Sequence, residues 1–229
     1  SSMSIPKSEL HGLGLAMPGP FDYNHGISLM TAEVAKYENL YSINIRNELA
    51  HRLKLDPSCI RFRNDAEAFL DGEMNYGAGK GFKSAIGITL GTGLGTAFYH
   101  HQRSVDLGFG LGLRLHDGLA EDFISTRWFL KRYEELTQRS INGVKALVEM
   151  HPTDSTAKAI FKEFEMNISQ FLGDAIAEIL RTSPQFMPES IIIGGNIALA
   201  SDLFFSGIQK HLKKIYPGLS IQLRRSMLN

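Results

Sequence analysis

The amino-acid sequence predicts an α/β fold with a partly parallel sheet. Short apolar runs alternate along the chain with longer stretches whose apolar residues recur at helical spacing. This alternation is typical of strands and helices that follow one another in α/β proteins. One pair of apolar runs, within 85–99, flanks a turn that contains three glycines, as expected of an antiparallel β-hairpin. The prediction is therefore a sheet with both parallel and antiparallel strand pairs.

Composition limits the classes of function. The 229 residues are 43% hydrophobic and 21% charged, with a formal net charge of +0, so a strongly basic surface for nucleic acid or an anionic membrane is disfavoured. No apolar run reaches the length of a membrane span. Cys59 is the single cysteine, which excludes an internal disulfide and fits a reducing compartment. We expect a cytoplasmic protein that binds neither nucleic acid nor membranes.

The first elements are short and separated by residues that break regular structure. Residues 12–17 form an apolar run that predicts a buried strand, and the prolines of Pro18-Gly19-Pro20 end it in a rigid loop. Residues 21–27 predict a turn that leads into a second short strand. Between residues 33 and 53, most clearly from Asn44 to Leu53, charged and apolar positions recur at helical spacing, which predicts a helix.

A polar pair follows the next predicted strand. Residues 60–63 alternate apolar and charged side chains, and Asn64 and Asp65 then precede a helical segment that runs to about Tyr76. Either polar residue could cap that helix, because a side-chain oxygen accepts hydrogen bonds from its first N–H groups. The pair could also belong to a site, since α/β folds build sites at the carboxyl ends of strands. There the carboxylate of Asp65 could take a proton from a substrate hydroxyl.

The turn of the predicted hairpin carries Gly91, Thr92 and Gly93. Glycines let backbone N–H groups approach a phosphate closely, and a threonine hydroxyl adds a donor. An ordinary glycine-rich hairpin is the alternative interpretation. The preceding segment, 77–81, is also rich in glycine but lacks the spacing of a P-loop, so it predicts a flexible connection.

Several polar residues follow the hairpin. His100 and His101 are adjacent on a strand, so their side chains are expected on opposite faces and not on one metal ion. Residues 104–118, which include Asp106, predict a loop rich in glycine and leucine. Glu121 lies in the first turn of a helix predicted over 119–137, where an acidic group complements the helix dipole.

The rest of the chain completes the α/β pattern. Asp154 is expected to cap a long helix, and Gly194-Gly195-Asn196 is expected to turn a buried strand into a helix. The elements predicted here are, in order, helices over 142–150 and 155–182, a strand over 190–193, a helix over 201–215 and a strand over 219–223.

Four motifs together carry a family resemblance that covers about residues 12–225. They are Leu15-Ala16-Met17-Pro18-Gly19-Pro20-Phe21-Asp22, Asn64-Asp65-Ala66 with Gly72-Glu73, Thr89-Leu90-Gly91-Thr92-Gly93-Leu94-Gly95, and Ile193-Gly194-Gly195-Asn196. In this order they resemble the ROK family (repressor, open reading frame, kinase). The resemblance implies an actin/hexokinase-like (ribonuclease H-like) ATPase fold of two lobes, here 1–82 and 83–229, with the first lobe incomplete.

The resemblance also implies an activity, because the family includes glucokinases, fructokinases and N-acetylmannosamine kinases. The implied reaction is phosphoryl transfer from ATP, with Mg²⁺, to a hexose hydroxyl in a cleft between the lobes of a homodimer-forming enzyme. The implied roles are a general base for Asp65, sugar contacts for Asn64, Gly19, Asp106 and Glu121, phosphate binding for Gly91, Thr92 and Gly93, and an adenosine pocket lined by Gly194 and Gly195.

The sequence also departs from the family pattern. No Asp-x-Gly-Gly-Thr phosphate motif precedes Gly12, so we expect a partial chain. Val105-Asp106-Leu107-Gly108-Phe109 stands where the family has Gly-Glu-x-Gly-His, and the family's Cys-x-Cys-Gly cluster is missing. We therefore expect no bound metal among the protein's own sites, structural zinc included. Two other functions stay open: a ROK-type sugar-responsive transcriptional repressor and a catalytically silent sugar-binding protein.

Overall fold

The computed structural model of the chain describes residues 9–31 and 39–228. The chain divides into two compact units, 1–68 and 69–229, and this division falls inside a helix. The predicted lobe boundary after residue 82 stays a prediction. Each unit has its own sheet, and the elements are mixed strand and helix, as predicted.

The first unit contains a two-stranded parallel sheet, a small hairpin and a helix. Its elements are β1 (Leu13–Met17), β2 (Phe21–Asp22), β3 (Ile27–Ser28), α1 (Ile45–Leu53), β4 (Ile60–Asn64) and the start of α2 (Asp65–Tyr76). Strands β1 and β4 pair in parallel, and β2 and β3 pair antiparallel. The predicted strands at 12–17 and 60–63 and the turn at 21–27 are thereby confirmed.

Two predictions in this unit need correction. Strand β1 is not buried, because Gly14 and Ala16 are exposed and its other residues are only half-buried. Helix α1 begins at Ile45, where Asn44 caps it by accepting a 2.9 Å hydrogen bond from the N–H of Asn47. Residues 39–43 precede that cap and are not α-helical, while residues 33–38 of the predicted helix lie outside the described part of the chain.

Arg46 joins the pieces of the first unit. Its guanidinium donates to the carbonyl oxygens of Ile60 (3.2 Å) and Tyr23 (3.3 Å), and it lies 5.7 Å from the centre of the Phe62 ring. These contacts connect α1 to the β2–β3 hairpin and to β4 through one planar cation, which suits both carbonyl and aromatic partners.

The second unit is built on a five-stranded sheet in the order β11-β10-β5-β6-β7. These strands are β5 (Ala85–Leu90), β6 (Leu94–His100), β7 (Arg103–Asp106), β10 (Ser190–Gly194) and β11 (Gln222–Arg225). Strands β5, β10 and β11 are parallel, while β5, β6 and β7 are antiparallel. The predicted mixed sheet and the hairpin over 85–99 are confirmed.

Helices pack against this sheet. They are α3 (Phe109–Gly112), α4 (Ala120–Phe123), α5 (Thr126–Thr137), α6 (Val144–Met150), α7 (Ser155–Thr182) and α8 (Phe205–Ile215), with a small hairpin of β8 (Arg114–Leu115) and β9 (Gly118–Leu119). Helix α7 is the longest, and Asp154 caps it, as predicted, by accepting a 2.8 Å hydrogen bond from the N–H of Ala157. Its buried face joins a core rich in phenylalanine, which includes Phe129, Phe164 and Phe204.

The structure corrects four boundaries in this unit. Residues 104–118 are not a loop, because they contain the end of β7, helix α3 and strand β8. The helix predicted over 119–137 is interrupted between α4 and α5. The segment 196–203 is a 3₁₀-helix, so the last α-helix starts at Phe205. The last strand is displaced toward the carboxyl end of the prediction. Along the described stretches, no helix has the length and apolar character that a bilayer crossing requires.

Candidate functional site

In the first unit the predicted residues gather where β1 and β4 end. Met17 and Asn64 are partners in the parallel register, so the Pro18-Gly19-Pro20 loop and Asp65 both leave the sheet at one edge. Gly19 is exposed. Carboxyl ends of parallel strands are where α/β folds build their sites. The predicted base and the predicted sugar loop therefore lie at one edge.

Asn64 is the residue that caps α2. Its Oδ1 accepts hydrogen bonds from the N–H groups of Ala66 (2.8 Å) and Glu67 (3.1 Å), which are the second and third residues of the helix. Its Nδ2 lies 3.4 Å from the hydroxyl oxygen of Tyr23, and that hydroxyl donates to the carbonyl of Met17. The side chain is buried, with 7% of the residue exposed. The capping interpretation is confirmed for Asn64, and its contact with sugar stays a prediction.

Asp65 is the first residue of α2, and it is exposed to solvent. Its Oδ1 lies 2.9 Å from the N–H of Ala66, within the helix end that stabilises a negative charge. Because Asn64 already serves as the cap, the Asp65 carboxylate is not required for that purpose. The arrangement leaves the carboxylate able to accept a proton from a molecule in solution.

In the second unit two glycine turns meet at the carboxyl edge of the parallel strands. Thr89 of β5 and Gly194 of β10 are register partners, so the turns that follow both strands lie side by side. Gly195 has φ +84°, and a Cβ on it would lie 2.3 Å from the carbonyl oxygen of Leu90. A side chain would therefore be both strained and in collision. The predicted turns at 91–93 and 194–196 are brought together by this close backbone packing.

Helices α4 and α5 hold the turn of the hairpin. The N–H of Thr126 donates to the carbonyl of Gly91 (2.8 Å), and the N–H of Gly91 donates to the carbonyl of Gly93 (3.1 Å). No atom lies within 4 Å of the position that a Cβ on Gly91 would take. The outer side of the turn is thus open, and a ligand could approach its backbone there.

Glu121 lies against the same turn. Its Oε2 accepts a 2.9 Å hydrogen bond from the N–H of Leu94, and a Cβ on Gly93 would lie 2.6 Å from that oxygen. Its Oε1 accepts a 2.5 Å hydrogen bond from Arg127, and its side chain is 19% exposed. The helix-dipole interpretation therefore does not account for Glu121, which contacts the hairpin directly. Sequence reasoning missed Arg127, since no motif marks it.

Asp106 is the last residue of β7, and Phe109 is the first residue of α3. Asp106 is exposed, and its Oδ1 accepts a 3.0 Å hydrogen bond from the N–H of Gly108. The N–H of Phe109 donates to Oγ1 of Thr96, and its ring packs against the core. Phe109 therefore has an apolar packing role at the position where the family pattern has histidine. A sugar contact for Asp106 stays a prediction.

His100 and His101 do not point to opposite faces, which corrects the expectation for this pair. His101 leaves the strand with φ +51°, and its ring centre lies 3.9 Å from that of His100. Burial, followed by the charge of His101, lowers the pKa of His100. Among the residues that the structure describes, no three His, Cys, Asp or Glu side chains come close enough together to bind a metal ion.

A separate pocket of the second unit contains none of the predicted site residues. It is lined by side chains of α4, α5 and α7 and of the β8–β9 turn, among them Asp122, Trp128, Arg132 and Asn167. Arg132 forms ion pairs with Glu135 and Glu163 at its rim. The pocket therefore differs in position from the glycine turns at the sheet edge.

The chain is similar to known proteins both in sequence and in structure. Residues 3–110 match the model of the ROK family. A glucokinase of Thermotoga maritima is 24% identical over 220 residues, which are 86% of this chain and 68% of that protein. A ROK family glucokinase from Streptomyces griseus, solved in complex with glucose and AMPPNP, is similar with a TM-score of 0.74 at 21% identity, over 96% of this chain and 78% of that one.

A further solved structure, a ROK family transcriptional regulator that is a homolog of the E. coli MLC protein, has a TM-score of 0.73 at 18% identity, over 96% of this chain and 59% of that one. The fold is therefore that of the actin-like ATPases. The family match over residues 3–110 and the glucokinase relatives go further: the chain is similar to the ROK family and to glucokinases.

Proposed function

We propose that the protein transfers the γ-phosphoryl group of ATP to a hydroxyl of a hexose. The observation that carries the proposal is the meeting of two glycine turns at the carboxyl edge of β5 and β10, with Gly195 packed on the carbonyl of Leu90. Such backbone-lined edges suit phosphate groups. The similarity to glucokinases, one of them solved with glucose and AMPPNP, supports sugar and ATP as the substrates.

In the proposed reaction Asp65 acts as the general base. Its exposed carboxylate accepts the proton of the attacking sugar hydroxyl, while that oxygen takes the phosphoryl group and ADP leaves. Asp65 is the first residue of α2 and is exposed to solvent, so a sugar hydroxyl can approach its carboxylate. Sugar contacts are proposed for Asn64, Gly19, Asp106 and Glu121, phosphate contacts for Gly91, Thr92 and Gly93, and adenosine contacts for Gly194 and Gly195.

The described residues offer no group of three candidate ligands for Mg²⁺. Magnesium in kinases is commonly bound through substrate phosphates, water and one or two carboxylates. We therefore propose that Mg²⁺ enters with the nucleotide, and we assign it no ligand in this chain. The proton transfer to Asp65 does not depend on that assignment.

The test is release of ADP by the purified protein in the presence of ATP and Mg²⁺, measured with a panel of aldohexoses, ketohexoses and N-acetylhexosamines. Sugar-dependent ADP release together with a hexose phosphate identified by ³¹P NMR would support the proposal. ATP hydrolysis without sugar phosphate, or no turnover with any sugar, would contradict it.

A transcriptional regulator is the second candidate, because the ROK family regulator also matches 96% of the chain. This function predicts saturable sugar binding without turnover. Isothermal titration with each sugar, run beside the kinase assay, therefore separates the two functions. A sugar that binds and is phosphorylated supports the kinase, whereas a sugar that binds and is never phosphorylated supports a regulator or a silent sugar-binding protein.

A further inference from the structure

The Gly72-Glu73 motif has no role in the reaction described so far, yet Glu73 is fully buried, with 0% of the residue exposed. Its Oε1 accepts hydrogen bonds from Oγ of Ser226 (2.6 Å) and from the N–H of Leu228 (2.8 Å). The N–H of Met227 lies 3.1 and 3.2 Å from the two carboxylate oxygens. The carboxylate thus holds three consecutive residues that lie more than 150 positions away in the chain.

The other side of the carboxylate faces the end of its own helix. Its Oε2 accepts a 2.7 Å hydrogen bond from the N–H of Ala78. A Cβ on Gly77 would lie 2.2 Å from the same oxygen, so only glycine at position 77 leaves room for the carboxylate of Glu73. A buried carboxylate is costly unless donors surround it. Here the donors come from Ala78, just after α2, and from residues 226–228. Gly77, which has no side chain, makes this arrangement possible.

Burial alone would raise the pKa of Glu73, but the hydrogen bonds from Ser226, Ala78, Leu228 and Met227 outweigh it, so the pKa lies below its ordinary value of 4.5. The carboxylate of Glu73 is therefore charged at neutral pH, and hydrogen bonds to a charged acceptor are stronger than those to a neutral one.

The segment that Glu73 holds lies directly beside the Gly194–Gly195 turn. The N–H of Ser226 donates to the carbonyl of Ile193 (2.9 Å). The Cβ of Ser226 lies 3.2 Å from the position that a Cβ would occupy if Gly194 carried a side chain. The ring of Phe69, one helical turn before Glu73 on α2, lies 2.5 Å from the same hypothetical Cβ position on Gly194. Helix α2 thus contacts the turn directly through the ring of Phe69 and indirectly through the hydrogen bond of Glu73 with Ser226.

We propose that Glu73 is a positioning residue for nucleotide binding, which acts by holding residues 226–228 against the Gly194–Gly195 turn. This inference rests on the proposed function, in which that turn lines the adenosine pocket. In this proposal Glu73 does not contact the nucleotide, because its carboxylate is buried and accepts hydrogen bonds from Ala78 and from residues 226–228. Its loss is therefore expected to weaken nucleotide binding selectively and to leave sugar binding unchanged.

The experiment measures dissociation constants of the purified protein for AMPPNP with Mg²⁺ and for the sugar found active in the kinase assay. Glu73→Gln places an amide N–H₂ among backbone N–H donors, so it should raise the nucleotide constant about tenfold, the usual effect of losing hydrogen bonds to a charged group, and change the sugar constant less than twofold. Asp71→Asn is the matched control, since Asp71 lies on the same helix and binds the N–H of Ser104 instead. It should leave both constants unchanged.

Two further variants keep the test decisive if Glu73→Gln does not fold. Ser226→Ala removes a single donor, and Gly77→Ala presses on Oε2; each should weaken nucleotide binding severalfold without affecting the sugar. Folded variants with a wild-type nucleotide constant, or an equal loss for both ligands, would overturn the role of Glu73. A wild-type protein that binds no AMPPNP would instead overturn the proposed function, so the two failures are distinguishable.

Discussion

Replacing Asp65 by asparagine tests the proposed chemistry most directly. The amide is nearly isosteric with the carboxylate but cannot accept the proton of the sugar hydroxyl. Loss of a general base lowers a rate by roughly two to four orders of magnitude, which corresponds to about 2.7–5.5 kcal/mol of transition-state free energy. We expect the turnover number of Asp65→Asn to fall by this amount, while its sugar affinity stays within about threefold of wild type.

The structure indicates that the same change should hardly affect folding. Asn64 accepts hydrogen bonds from the N–H groups of Ala66 and Glu67, so the helix cap survives, and the amide oxygen of an asparagine at position 65 can still accept the hydrogen bond that Ala66 donates to Asp65. What is lost is the favourable interaction of an exposed charge with the helix dipole, about 0.3–1 kcal/mol. For a chain of this size that is at most about 4 °C in melting temperature.

Glu67→Gln is the matched control. Glu67 lies in the same first turn of α2 and is paired with Arg63 at 3.4 Å, so this variant also removes one carboxylate near the helix N-terminus. It should retain the wild-type turnover number. The assay is steady-state release of ADP with the preferred sugar, with thermal melts to verify folding. A folded Asp65→Asn protein that turns over at the wild-type rate would refute the assignment of Asp65 as the base.

Three further predictions concern the fold and the sheet edge. Gly195→Ala should destabilise the protein by about 1–3 kcal/mol, because the residue has φ +84° and its Cβ would meet the carbonyl of Leu90; denaturant unfolding measures this, and an unchanged midpoint would contradict it. Asp154→Ala should cost about 1 kcal/mol through loss of the α7 cap, and its sugar turnover per folded molecule should equal wild type; a melt that does not shift would show that the cap is dispensable. Because the pKa of Glu73 is lowered in the folded protein, its carboxylate stabilises the fold at neutral pH, and this contribution is lost as the pH falls through the folded value. The difference in melting temperature between wild type and Glu73→Gln should therefore shrink below pH 4.5, and a difference that stays constant from pH 7 to pH 3.5 would be inconsistent with this assignment.

Elements with strong local signals could be predicted from the sequence. The hairpin over 85–99 has its turn glycines between two apolar runs, and α7 has a cap and a long apolar stripe, so both follow from neighbouring residues. Residues 104–118 could not be predicted in the same way. Their strands are two to four residues long and exist only because a partner strand supplies hydrogen bonds, which a local pattern does not contain.

The candidate site shows the same division between local and long-range information. Asn64 and Asp65 were identified by their place after a strand, but sequence alone left open which of them caps α2. The contact of Glu121 with the N–H of Leu94 joins residues 27 positions apart, and that of Glu73 with Ser226 joins residues 153 apart. Such contacts depend on how the chain packs, so only the structure could assign these two carboxylates to the turns that they hold.

These two carboxylates raise an electrostatic question for a phosphate-binding edge, because each places negative charge close to it. At about 5 Å and an effective dielectric constant of about 20, one unpaired carboxylate would repel a phosphate charge by about 3 kcal/mol. Glu121 avoids this through Arg127, whose guanidinium lies 2.5 Å from Oε1. Glu73 is surrounded by Ser226 and backbone N–H donors, which spread its charge over several dipoles. Both residues can therefore hold the turns at the edge while leaving its open side favourable for an anionic ligand.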